Sequence, residues 1–173
     1  MRTTVVLVLA LVASILSFRA EAQELWRGTR EGMTVAEVQS AVPEAVRPAK
    51  PDTLGNGARG ILEVPNVEIT ARTFTATFFF LDQRLTQVTL GMDAPGSFNI
   101  GKMHFESLLD ALRVKYGKEQ SLSNENLGGL KTREATWLSG KTNVGLLLLA
   151  VGDAESTLNI NYQVSLAKEA EKL

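Results

Sequence analysis

The stretch "VEITARTFTATFFFLDQRLTQVTLGM", Val67 to Met92, decides the fold class of this chain. β-Branched and aromatic residues crowd it, and through its middle they alternate with threonine. That pattern suits a pleated strand with one buried face. Phe74, Ala76, Phe78 and Phe80 fall on one side, and Thr73, Thr75 and Thr77 on the other. Asp82-Gln83-Arg84 turns the chain, and Thr86, Val88 and Leu90 return on one side. The reading is one extended segment over 67–81 and then a hairpin. Three consecutive phenylalanines cannot all point one way, so Phe79 faces away from Phe78 and Phe80. It either packs as core or is exposed at an interface.

Upstream lies "GMTVAEVQSAVP", Gly32 to Pro43. Thr34 with Glu37 three residues on makes a capping box, and Met33 with Val38 is placed for a hydrophobic staple. Val35, Val38 and Val42 share one face, and Pro43 ends the helix. So short a helix is unstable alone and must dock. Residues 44–60 read as a Gly- and Pro-containing loop, followed by a short strand Ile61–Val64 cut by Pro65.

Downstream of the hairpin, residues 91–101 read as a loop and 102–116 as the longest helix. Phe105, Leu108, Leu109, Leu112 and Tyr116 form its buried stripe, and Gly117 stands at its C-terminal cap. Polar, Gly-containing 118–130 reads as another loop, and three strands follow. "TREATWL" runs to a turn at Ser139-Gly140, and "NVGLLLLAV" reads as a central strand covered on both faces. "STLNINYQVSL" alternates, with Leu158, Ile160, Tyr162 and Val164 opposite Asn159, Asn161 and Gln163; Thr157 and Ser165 extend the polar row.

The order helix–strands–helix–strands predicts an α+β fold: two helix-plus-antiparallel-sheet units in tandem, two-layer. The first unit is expected over 23–98 and the second over 99–173, together forming one compact domain.

Residues 1–22 are read as a signal peptide. Arg2 precedes the apolar run Val5–Leu16, and Ala20-Glu21-Ala22 supplies the small residues of a cleavage site before Gln23. The run is shorter than the roughly 20 residues that span a bilayer comfortably, and an uncleaved anchor is the alternative. Without Arg2, Arg19 and Glu21, the 18 basic and 19 acidic residues become 16 and 18, a net charge of −2. That balance gives no electrostatic handle on nucleic acid or anionic lipid. The chain has no cysteine, which excludes disulfides, thiolate metal sites, a cysteine nucleophile and N-terminal lipidation. No stable membrane anchor is therefore expected after cleavage, and the expected location is the bacterial periplasm or the exterior.

The Gly32–Pro43 stretch resembles the Gly-Met-Thr-x-x-x-Val opening of BamE-like (SmpA/OmlA) envelope domains. The two-unit plan is similar to the β-lactamase-inhibitor-protein-like fold related to them. BamE-like proteins typically carry a lipidated cysteine that this chain lacks. The resemblance implies a non-catalytic protein-binding or scaffold domain of the envelope, and it carries over no site residues.

Catalytic signals are sparse. His104 is the single histidine, and its i±3 and i±4 neighbours Gly101, Ser107, Ile100 and Leu108 are not strong metal ligands. Glu106 and Asp110 lie on the opposite helix flank, as carboxylates of a solvated face. No nucleophile elbow or phosphate-cradling glycine motif is present. No catalytic residue, metal site or cofactor is assigned. The candidate partner-binding residues are Asn159, Asn161 and Gln163 on a polar strand face, with Phe79 and Trp26 as aromatic anchors. The expected partner is another envelope or secreted protein. The leading expectation is a binding or scaffold module, the alternative an inhibitor of an extracytoplasmic hydrolase, and the last an enzyme with a site near His104.

Overall fold

The Thr/Phe alternation forms a strand, and everything else is arranged around the face it buries. The computed structural model describes residues 24–152 and 155–164. The expected signal peptide, Ser165 and the charged tail lie outside these described residues. The elements are α1 (Val35–Ala41), β1 (Arg59–Ile69), β2 (Arg72–Leu81), β3 (Arg84–Met92), α2 (Phe98–Tyr116), β4 (Ser121–Leu127), β5 (Leu130–Ser139), β6 (Thr142–Val151) and β7 (Thr157–Val164).

All seven strands belong to one antiparallel sheet, ordered β1-β2-β3-β7-β6-β5-β4. The last strand crosses back to pair with β3, with Val88 opposite Tyr162 and Leu90 opposite Ile160. This corrects the expectation of two helix-plus-sheet units in tandem: there is a single β-rich sheet, with two helices packed on it. One row of paired residues runs across six strands as Leu62, Phe78, Val88, Tyr162, Val144 and Trp137, all buried. Side chains of both halves therefore share one core, and neither half closes by itself.

Both helices serve that same core. α2 buries Phe105, Leu108, Leu109 and Leu112 and lies over β6, with β5 and β7 beside it. The approach is close at Gly101, where a Cβ would sit 2.7 Å from both Leu148 Cδ1 and Ser156 Oγ. α1 contributes Val38 and its C-cap Val42. Its capping box is formed, with Thr34 N–H donating to Glu37 Oε2 (2.7 Å) and Glu37 N–H to Thr34 Oγ1 (3.3 Å). The chain entering α1 is tied to β3, since Gly32 N–H donates to Leu85 O and Leu85 N–H to Met33 O.

Local differences from the sequence reading have local causes. The extended segment 67–81 breaks into two strands at Thr70-Ala71, a tight turn at φ 49° and 55° that neither residue type signals. β1 is continuous through Pro65 because it bulges between Val64 and Val67. A bulge between Phe79 and Phe80 places Leu85, not Thr86, inside with Val88 and Leu90. The expected loop 118–130 contains β4, whose polar sequence "SLSNENL" is held in strand form by pairing with β5. "NVGLLLLAV" is central, but only Val144, Leu146, Leu148 and Ala150 are buried; Leu147 and Leu149 on its other face are half-exposed.

The exit from α2 is pinned by Arg113, whose Nε and Nη2 reach Glu119 at 2.8 and 2.7 Å. That hydrogen-bonded pairing, aided by backbone hydrogen bonding, holds the Glu119 carboxyl down at about 2. Its folded value is depressed, so its stabilisation is complete above the ordinary carboxylate range and is lost as pH falls toward 2. Glu119→Gln is expected to flatten the loss of stability on acidification through this window, as read by urea midpoints measured at successive pH values. A shared core makes a second demand. Phe78→Ala and Leu146→Ala, one in each half, are each expected to cost about 2–5 kcal/mol and to shift one common urea transition. Separate transitions for the two halves would contradict a single cooperative core.

Candidate functional site: the open sheet face

The strand period that buries one set of side chains presents the other set on the face away from the helices. One row there crosses the whole sheet: Glu63, Thr77, Thr89, Asn161, Gly145, Thr136 and Ser121 are successive partners. A neighbouring row runs Thr75, Gly91, Asn159, Leu147 and Glu134, and another Phe79, Gln87, Gln163 and Asn143.

The middle of this face, on β2, β3, β7 and β6, is built from threonine, asparagine, glutamine, glycine and leucine, with Phe79 on β2, and these strand residues carry no charge. Carboxylates stand toward its two margins, Glu63 and Glu68 on β1, Glu134 and Glu125 on β5 and β4, and just past the end of β3, where Asp93 Oδ1 accepts from Thr75 Oγ1 (3.0 Å). Side chains in the middle organise one another. Gln87 Nε2 donates to Thr89 Oγ1 (2.8 Å), and Thr89 Oγ1 donates to Asn161 Oδ1 (2.9 Å). These bonds limit the rotamers of β3 and β7 side chains before any partner arrives. At Gly145 nothing lies within 4 Å of a Cβ position, so the backbone beside Asn161 is open to a partner.

The structure thus brings Asn159, Asn161 and Gln163 into line on β7, in the middle of the sheet; Gln163 is exposed and the two asparagines are half-buried. Phe79 is on the same face but only 4 % exposed, outside the helix-side core. It lies beside Gly60, whose N–H is tied to Asp52 O at 2.9 Å. Trp26 is separated from this group, on the helix side. Its ring meets Phe78 at 5.9 Å and carries the Arg27 guanidinium at 4.5 Å. It also lines a cleft of about 270 Å³ with Tyr116, Tyr162, Lys115 and Thr142. Trp26 is half-buried against the domain's own core.

Thr75, Thr77, Gln87 and Thr89 join the candidate site, although the sequence reading did not include them. Their alternation with buried residues was visible; their adjacency to the β7 amides follows only from the β3–β7 pairing.

His104 occupies the α2 flank nearer β2. Burial first, and the positive charge of Arg72 second, lower its pKa below 6.5. Glu106 and Asp110 are engaged elsewhere, with Arg133 at 2.6 Å and Arg113 at 3.4 Å. Among the described residues no group of three His, Asp or Glu side chains is placed to hold a metal ion. Nor is any helix there long and apolar enough to cross a membrane. Set against protein-family models, characterised proteins and solved structures, the chain finds no match. The resemblance at Gly32–Pro43 therefore rests on those residues alone.

His104 gives this region a direct test. Its ring is expected to titrate below the free-histidine value in an NMR pH series, and Arg72→Ala is expected to raise the midpoint. An unperturbed midpoint, or no response to the substitution, would remove Arg72 from its surroundings.

Proposed function

We propose that this chain is an exported, non-catalytic binding or scaffold module of the bacterial envelope that docks another protein on its open sheet face. One observation carries the reading: both helices pack on one face of the sheet, and the other face presents an uncharged amide–hydroxyl array. An array of this kind satisfies hydrogen-bonding groups of a partner without the desolvation cost of buried charge. The carboxylates toward its margins favour a partner with a basic rim and act on encounter rate and register more than on affinity. Leu147 and Leu149 add apolar area next to Asn159, a mixture suited to a protein surface. The export segment read at 1–22 and the resemblance of Gly32–Pro43 to BamE-like domains support the envelope setting.

The alternative of a hydrolase inhibitor has its own support at the β4–β5 turn. There Leu127, 70 % exposed, and Leu130 flank Gly128-Gly129 at the end of a hairpin. Photo-crosslinking residues placed singly at Asn161, Leu127 and Val114 separate the readings. Val114, 91 % exposed on the outer side of α2, is the control. One dominant envelope protein captured from Asn161 and not from Val114 is the expected outcome. Capture of a hydrolase from Leu127 alone would favour the inhibitor, and labelling equal at all three positions would defeat both.

A further inference from the structure

The two edges of the sheet are treated differently. The outer edge of β1 is occupied: Val46 exchanges both backbone hydrogen bonds with Glu63 (2.9 and 2.8 Å), and Thr53 forms an isolated bridge with Arg59. Pro65 lies in a bulge of the same strand. These are the devices by which an edge strand is kept from pairing further. Among the described residues β4 has none of them. It keeps unbroken register with β5 over all seven residues, and it contains no proline, no lysine or arginine and one charge, Glu125. It ends the strand order, and its apolar residues Leu122 and Leu127 are 45 % and 70 % exposed.

We infer that β4 pairs antiparallel with β4 of a second copy of this chain, joining two sheets into one about a two-fold axis at Asn124. The composition of the strand supports a second copy as the occupant. Full overlap of two identical seven-residue strands places the axis through the middle residue, which is Asn124. In that register Asn124 faces its own symmetry mate, Ser123 faces Glu125, Leu122 faces Asn126 and Ser121 faces Leu127. No like charges are opposed, each glutamate gains a hydroxyl donor, and the amide pair at the axis bonds to itself. Shifting the axis to Glu125 would oppose two carboxylates and shorten the overlap, and shifting it to Ser123 would shorten the overlap alike, so overlap and charge together favour the axis at Asn124. The same pairing extends the open faces of the two copies side by side, giving a bivalent surface.

The contact is a single strand pair with its flanking side chains, at or below the small end of specific interfaces. A dissociation constant on the order of 10 µM is therefore expected. Sedimentation equilibrium of the wild-type mature chain, from about 1 µM to about 500 µM, should show a reversible monomer–dimer transition. Asn124→Lys and Asn124→Asp, each alone, place like charges at the axis and should weaken the dimer at least tenfold. An equimolar mixture of the two should recover it as a heterodimer, because the axis then joins opposite charges. Circular dichroism and a urea midpoint confirm that both variants are folded. A wild-type chain that stays monomeric throughout overturns the inference. So does a dimer indifferent to both substitutions, or a mixture that fails to associate better than its components.

Discussion

The pairing of β3 with β7 is the contact on which the rest of the molecule depends. Five residue pairs, Gln87–Gln163 to Gly91–Asn159, join a three-stranded meander to a four-stranded one. Of these, Val88–Tyr162 and Leu90–Ile160 carry the core across the join, and Thr89–Asn161 carries the polar face across it. Remove that seam and each half exposes an apolar strand edge and part of its core. It is also the longest-range pairing among the seven described strands, so its loop-closure entropy is offset only when apolar area is buried on the helix side.

A sheet closed on one side only has a division of labour built into its period of two. Volume and apolarity are constrained where Phe74, Phe78, Leu146, Leu148 and Trp137 meet the helices, and all are essentially fully buried. On the other side the constraint is hydrogen-bond satisfaction, met in part by mutual bonds among Gln87, Thr89 and Asn161 and by the bond from Thr75 to Asp93. Phe79 differs from Leu147 and Leu149 on that side in being buried. It is a large apolar residue made tolerable by the segment that Gly60 ties down through Asp52. The loop before β1 thus shields both an aromatic side chain and a strand edge.

The contrast between the edges follows from the same economy of covering elements. Two helices suffice for one face of the sheet, and the loop before β1 reaches one edge. β4 lies beyond α2, whose contacts extend over β6, β5 and β7. Its polar sequence is compatible with water on both faces, while among the described residues no further strand pairs with its outer edge and its two leucines are exposed.

Local periodicity determined a good deal. The α1 capping box, the α2 stripe, the Phe/Thr division of β2 and the Leu158–Ile160–Tyr162 face of β7 are properties of spacing, and each appears in the structure as read. Asn159, Asn161 and Gln163 were legible as one polar row for the same reason. What spacing does not encode is which strand lies beside which. The tandem reading treated each helix as closing its own sheet, because sequence proximity is the only adjacency a chain displays. Pairing β7 with β3 buries more apolar surface in one shared core, and tertiary contact decided that. It also decided that polar Ser121–Leu127 is a strand, that Thr70-Ala71 is a turn at positive φ, and that Thr75, Thr77, Gln87 and Thr89 join the β7 amides. In the first two cases backbone hydrogen bonding to the adjoining strand, and in the last the long-range β3–β7 pairing, outweighed a weak or absent local preference.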